Sequence, residues 1–339
     1  MLKHPVIDLI LSRVRSGSEP LRRDDGFKLG LAIEGGAMRS VVSAGMVTAL
    51  EYLGLLGVFD AVYGSSGGAY NGAFFLAKQA AYGTTIYYEN INTEGFISLR
   101  RLFSPKPIVS LEYILENVII KEKILDWRAV LDSPIPLNVI VSSLGELRAK
   151  AFTGFRDCDS FFAALHASSK MPLVSGPPVE FDGDRFLDAS VFEAIPVHAA
   201  LRDHCTHVLV LLTRPNGHVR TKANLLDRHF LAKRLERLQK GLGTSYLGGD
   251  RDYSTTISLL QKAERDHNEL PFMFPISLPA DSRVIGKMEK DRTRLINGAK
   301  DGMRAVFKTL ACKEPELIEI LTPFDACGHV FRDAFGRGK

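Results

Sequence analysis

Two short glycine-rich stretches hold the residue types that could do chemistry: Glu34-Gly35-Gly36-Ala37-Met38-Arg39-Ser40 and Gly64-Ser65-Ser66-Gly67-Gly68. The second fits G-x-S-x-G, with Ser66 at its centre. A sharp strand-to-helix turn lifts a serine hydroxyl clear of the backbone, and flanking glycines relieve the crowding that such a turn causes. A serine hydroxyl is a weak nucleophile. It needs a base within hydrogen-bond reach and donors for the oxyanion it creates. The bland alternative is a Gly/Ser helix N-cap, and the pattern alone leaves the two readings level.

The first stretch admits three uses. A P-loop requires G-x-x-x-x-G-K-[ST], and no lysine follows these glycines at that position. A dinucleotide fingerprint requires G-x-G-x-x-G, but Ala37 and Ser40 occupy its later glycine positions. The third use is an oxyanion hole made from the backbone N–H groups of Gly36 and its neighbours. Only this use accounts for a second, serine-bearing turn 30 residues after Gly36. The histidines downstream (His166, His198, His204, His207, His218, His229, His267, His329) occupy no distinctive turn. The serine turn also follows only two strands, too early for the α/β-hydrolase order. A carboxylate is left as the partner base.

These turns need a sheet to hold them. Strands are expected at Lys28–Ile33, Phe59–Tyr63, Leu137–Ser142, Val208–Thr213 and Phe274–Leu278, with Leu147–Phe152 as a hairpin partner. Helices are expected at Ser40–Leu53, Gly67–Ala81, Ser160–Ser169, Leu225–Leu242, Thr255–Asn268 and Asp291–Leu310. This alternation predicts an α/β fold, a three-layer α/β/α sandwich around a mainly parallel or mixed sheet. The expected division is an N-terminal extension over 1–27, one domain over 28–325 and a loosely ordered tail over 326–339. Within the extension, Val6, Ile7, Leu9, Ile10 and Val14 have the spacing of a short amphipathic helix, docked on the domain or, as the sharper reading, resting on a membrane.

Composition narrows the function classes. The 339 residues are 45% hydrophobic and 24% charged, with a net charge of +4, and the basic stretches are interleaved with acids or apolar residues. That balance gives no footprint for nucleic acid. Cys158, Cys205, Cys312 and Cys327 are widely spaced, which speaks against zinc and disulfides and suits a reducing, cytoplasmic compartment. No run approaches the ~20 apolar residues of a membrane span.

Glu34 to Ser40 resembles the oxyanion loop [DE]-G-G-G-x-[RK]-G of the patatin-like phospholipases, and Gly64 to Gly68 resembles their nucleophile elbow. Ala167-Ser168-Ser169-Lys170-Met171-Pro172 looks like their A-S-x-x-x-P segment, followed by Phe186-Leu187-Asp188-Ala189-Ser190 and Ile195-Pro196-Val197 in the expected order. The resemblance runs over residues 28 to 215 and extends to the bacterial branch of the family. It implies a patatin-like fold and a Ser66–Asp188 dyad, with Gly35, Gly36, Ala37 and Arg39 at the oxyanion loop and Gly64, Ser65, Gly67 and Gly68 at the elbow. It implies an acyl-lipid or small-ester substrate, no metal and no cofactor. Transient contact with a membrane surface fits the same picture; the oligomeric state is left open.

The sequence departs from the family at Ala37, Ser40 and Ala189, where glycines are usual. A position that needs positive φ would strain a non-glycine residue or shift its N–H group. Asp182-Gly183 competes as the acid, but Asp188 keeps the family register and Asp182 suits a hairpin turn. The leading expectation is a serine lipid acyl hydrolase. The alternatives are a weak or non-catalytic acyl-lipid binder and a nucleotide- or phosphate-binding α/β domain. Phe74, Phe75, Phe96, Leu99, Leu102, Phe103 and Ile108 are read mostly as core, with an acyl channel as their sharper use.

Overall fold

The computed structural model describes residues 4–218, 225–266 and 268–310. Helix α1 (Pro5–Ser16) has proline at its start, where no N–H is needed, and the His4 ring accepts from the Val6 N–H at 3.2 Å. Gly17, at φ 62°, ends it in the left-handed conformation. Val6, Ile7, Leu9 and Ile10 are buried in the core, so the docked reading of this helix describes it.

The chain then runs β1 (Leu29–Ile33), α2 (Val41–Tyr52), β2 (Ala61–Ser65), α3 (Gly67–Leu76) and α4 (Ala80–Glu89). The single helix expected over 67–81 is two helices, because Lys78 takes φ 56° and breaks the run. A 3-10 turn at Leu99–Phe103 and a π-helix at Tyr113–Glu122 lead to α5 (Trp127–Leu131). Next come β3 (Leu137–Ser143), β4 (Arg148–Phe152), α6 (Cys158–Ser168), β5 (Val179–Phe181), β6 (Asp184–Leu187) and α7 (Val197–Arg202). The chain continues through β7 (His207–Pro215), α8 (Leu225–Leu238), α9 (Leu242–Arg265), β8 (Phe272–Leu278) and α10 (Arg292–Leu310). Helix α9 begins well before the expected Thr255, right after Gly241 turns the chain at φ 89°. The expected tail over 326–339 lies outside the described residues.

The eight strands form one mixed sheet in the order β5-β6-β3-β2-β1-β7-β8, with β4 beside β3. Strands β3, β2, β1, β7 and β8 are parallel; β4 and β6 run antiparallel to β3, and β5 to β6. Strand residues alternate between two cores, as the pleat requires. Leu31, Ile33, Val62, Val139, Leu209 and Leu211 enter one core with α1, α2, α3, α4 and α10. Ala32, Tyr63, Ile140, Val208 and Val210 enter the other, with residues of α7 and α9. Helices therefore cover both faces, and the fold is the expected α/β sandwich. From β1 the chain builds outward through β2 and β3 on one side, then places β7 and β8 on the other. The crevice at the carboxyl end of β1 is thus a switch point, where α/β sheets bind ligands.

Candidate active site

Strand β3 brings the two sequence-distant candidates together. Its Ile140 pairs with Ser65 at the end of β2, and its Ser142 pairs with Leu187 at the end of β6. These rungs are two residues apart, about 7 Å along the strand, so Ser66 and Asp188 leave their strands as neighbours. The Ser66 Oγ–H donates to Asp188 Oδ2 at 2.7 Å, and both residues are buried. The other carboxylate oxygen accepts from the Ser190 N–H at 2.8 Å, and the Asp188 N–H donates to the Lys170 carbonyl at 2.9 Å.

Ser66 sits at φ 55° and ψ −129°, a conformation that costs a non-glycine residue about 1–3 kcal/mol. Its own N–H donates to Ser168 Oγ at 2.8 Å, and that hydroxyl donates onward to the Ile140 carbonyl at 2.6 Å. Helix α3 follows at once, so Gly67 and Gly68 present N–H groups from its unpaired first turn. Ser65 points the other way and donates to the Glu193 carbonyl at 2.8 Å.

The two glycine-rich turns are pressed together. A Cβ on Gly35 would lie 2.1 Å from the Ser65 carbonyl oxygen and 2.8 Å from Ser66 Cβ. One on Gly68 would lie 2.3 Å from the Ile33 carbonyl oxygen, and one on Gly64 would meet Ala69 Cα at 2.4 Å. Gly36 lies over the Arg39 guanidinium, which donates through Nε to Thr213 Oγ1 at 3.0 Å. Arg39 is therefore buried beneath the loop as a brace to β7.

Behind the loop, Glu34 accepts from the Thr213 N–H at 2.6 Å, from Arg214 at 3.0 Å and from the Tyr253 hydroxyl at 3.1 Å. Arg214 also lies 4.6 Å from the centre of the Tyr253 ring. Glu34 opens the first glycine-rich stretch, and nothing in the sequence pairs it with Arg214 or with Tyr253 in α9. No local pattern announces a contact across 219 residues.

Of the three departures from glycine, only Ala37 is in the left-handed region, at φ 53°. Ser40 is helical at φ −62°, and Ala189 opens a 3-10 turn with ordinary backbone. Asp182 and Gly183, at φ 50° and 74°, form the β5–β6 turn, where Asp182 lies 3.4 Å from Lys150. The rival acid is thus away from Ser66.

An apolar cavity with about 600 Å3 of empty space, part of it open to solvent, has Ala37, Ser66 and Gly67 in its lining. It lies between α3, α4 and the 91–119 segment, which line it with Phe74, Ile86, Phe96, Val109, Ile114 and Ile119. Asn71 in its wall donates to the Ser40 carbonyl at 2.9 Å and accepts from the Tyr87 hydroxyl at 3.0 Å. Burial raises the phenol pKa of both Tyr70 and Tyr87, so both line the cavity as neutral groups. Beside the wall residues Ser169 and Leu111, Lys170 Nζ lies 3.3 Å from Glu112 and 3.1 Å from His166. Burial and the Lys170 charge lower the His166 pKa. Of the aromatic and aliphatic residues expected after the elbow, Phe74 and Phe96 line the cavity and Phe75 packs in the core. Leu99, Leu102 and Phe103 do neither, for they face solvent.

Comparison with known proteins supplies the family. An uncharacterized protein of Escherichia coli K12, YjjU, is 22% identical over 246 residues, covering 72% of this chain. The match spans 63% of that relative's own length. VipD from Legionella pneumophila aligns in structure with a TM-score of 0.41 and 12% identity, over 83% of this chain and 67% of VipD. The family model described as patatin-like phospholipase matches residues 31–201, half of the chain, from β1 to α7. The chain belongs to the patatin-like phospholipases, a family of lipid acyl hydrolases.

Proposed function

We propose that this protein is a serine lipid acyl hydrolase of phospholipase A, lysophospholipase or esterase type, working through a Ser66–Asp188 dyad and an acyl-enzyme. The observation that carries the reading is the 2.7 Å Ser66–Asp188 hydrogen bond, with Ser66 in the lining of an apolar cavity. An acyl chain lying in the cavity brings its ester carbonyl to Ser66. As Oγ attacks the carbonyl carbon, its proton passes to Asp188 Oδ2. The carbonyl oxygen takes up the negative charge beside the N–H groups of Gly36 and Ala37 and the N-terminal turn of α3. Collapse expels the alcohol, which takes the proton from Asp188 and leaves the acyl group on Ser66. Water then attacks the acyl-enzyme, gives its proton to Asp188 and releases the acid, and the proton returns to Ser66.

A carboxylate with a pKa of about 4 is a weak base toward a serine hydroxyl. Most of the rate must therefore come from the oxyanion donors and from positioning. The substrate is an acyl lipid or small ester. The free thiols Cys158 and Cys205 fit a cytoplasmic location, with access to lipid by transient contact at a membrane surface. Among the described residues no helix is long and apolar enough to cross a membrane.

A fluorophosphonate probe tests the reading directly. Covalent labelling is expected in the wild type, absent in Ser66→Ala and at least about a hundredfold slower in Asp188→Asn. A folded wild-type protein that takes no label would instead be a non-catalytic acyl binder.

A further inference from the structure

Residues 95–111 carry three cations (Arg100, Arg101 and Lys106) and no carboxylate. Within them, Leu99–Phe103 forms the 3-10 turn whose large apolar side chains point to solvent. Leu99 and Leu102 are each 66% exposed, and Phe103 is 92% exposed. Single exposed apolar residues are commonplace on proteins, but three in one turn with a basic collar are not.

This turn is held rigidly in place. Ile97 and Val109 form an antiparallel bridge, the Ser98 N–H donates to the Ile108 carbonyl at 3.0 Å, and the Ser110 N–H donates to the Phe96 carbonyl at 2.9 Å. Arg101 folds back inside the loop and donates to the carbonyls of Glu94 at 3.0 Å, Gly95 at 2.8 Å and Pro107 at 3.5 Å. It closes the loop, and Arg100 and Lys106 stay exposed on either side of the apolar tip. A shallow groove beside the tip joins Leu99 and Arg100 to Met288 and to the Glu94–Lys290 ion pair. The base of the same loop faces inward, since Phe96 and Val109 line the same cavity as Ser66.

We propose that the Leu99–Lys106 tip docks the protein on an anionic lipid bilayer. Leu99, Leu102 and Phe103 enter the boundary between head groups and acyl chains, while Arg100 and Lys106 meet the anionic head groups. The loop is continuous with the cavity wall, so docking sets the cavity beside the layer that holds acyl chains. That last step rests on the reading of the cavity as the acyl site. The docking itself does not.

Flotation of the full chain with vesicles tests this without turnover. Wild type and Ser66→Ala are both expected to float with vesicles of phosphatidylcholine plus phosphatidylglycerol, and less with phosphatidylcholine alone. The double variant Leu102→Ser/Phe103→Ser is expected to lower the bound fraction at least about tenfold. Arg100→Glu/Lys106→Glu is expected to abolish the preference for phosphatidylglycerol. Both double variants should hydrolyse a soluble short-chain ester at the wild-type rate, since neither touches the dyad. In Phe103→Trp, the added fluorescence should shift to the blue on adding the mixed vesicles. Wild type that stays unbound, a serine double variant that floats like wild type, or unshifted fluorescence in Phe103→Trp each overturns the proposal. Because Ser66→Ala binding is scored separately, loss of docking and loss of esterase chemistry are told apart.

Discussion

Ser66 and Ala37 both hold backbone conformations that suit glycine better, yet only one of them needs its side chain. Ser66, at φ 55°, must keep its hydroxyl against Asp188. Ala37, at φ 53°, lines the cavity and relies on its backbone for the proposed oxyanion contact. The left-handed conformation costs an alanine about 1–2 kcal/mol, while glycine gives back about 0.4–1 kcal/mol through its freer unfolded chain. Ala37→Gly is therefore expected to raise stability by up to about 1 kcal/mol, measured as the urea midpoint. The N–H at this position already has the orientation a glycine would give it. Activity toward a soluble ester should therefore change by less than about threefold. A clear loss of stability would show that the methyl group is packed to advantage. Of the three departures visible in the sequence, this is the one that strains the backbone, and only the φ angles distinguish it in this from Ser40 and Ala189.

Between elements, the site depends on contacts that a sequence carries without displaying. The strands were legible because Leu137–Ser143 and His207–Pro215 are buried throughout and carry short runs rich in Val, Ile and Leu. The two turns were legible because close packing restricts Gly35, Gly64 and Gly68 to glycine. Ser168 was visible only as part of a segment. In the structure it joins α6, β3 and the serine turn, taking the Ser66 N–H and giving its own proton to the Ile140 carbonyl. The hydroxyl of its neighbour Ser169 is buried with no hydrogen-bond partner among the described residues. The pair makes a controlled comparison. Ser168→Ala strands a buried N–H and a buried carbonyl, so it should cost about 1–3 kcal/mol. By loosening the elbow it should also lower kcat about tenfold or more with little change in KM. Ser169→Ala, which deletes a buried hydroxyl that makes no hydrogen bond, should leave stability unchanged or raise it. Urea unfolding and steady-state kinetics on both variants check this, and equal effects would remove Ser168 from its bridging role.

At the scale of the molecule, the segment before β1 is tied into the sheet through buried charge, which composition and spacing do not reveal. Arg13 is buried, lies 2.8 Å from Asp25 and 2.7 Å from Asp60, and also donates to the Val58 and Phe27 carbonyls. Near this cluster His207 opens β7, packed between the rings of Phe27 and Phe272 with centroids 4.9 Å and 5.2 Å away. Its Nδ1 lies 2.9 Å from Thr206 Oγ1. Burial, and then the Arg13 charge, push the His207 pKa from 6.5 down to about 4, against a smaller upward pull from Asp25. In the unfolded chain the same imidazole takes a proton as the pH falls through about 6.5. The native state resists protonation until about pH 4, so the unfolded state binds more protons in between. Stability is then full above pH 6.5 and falls as the pH drops toward 4, by up to about 3 kcal/mol from this residue. His166, whose pKa is also lowered, adds to the fall in the same direction. Urea unfolding between pH 7.5 and 4.5 should show this slope in the wild type. In His207→Gln, which cannot titrate, the slope should flatten by a large part of that amount, whatever the variant's stability at neutral pH. Parallel slopes in the two proteins would mean that the ring is hydrated in the folded state and that the segment before β1 does not seal that end of the sheet.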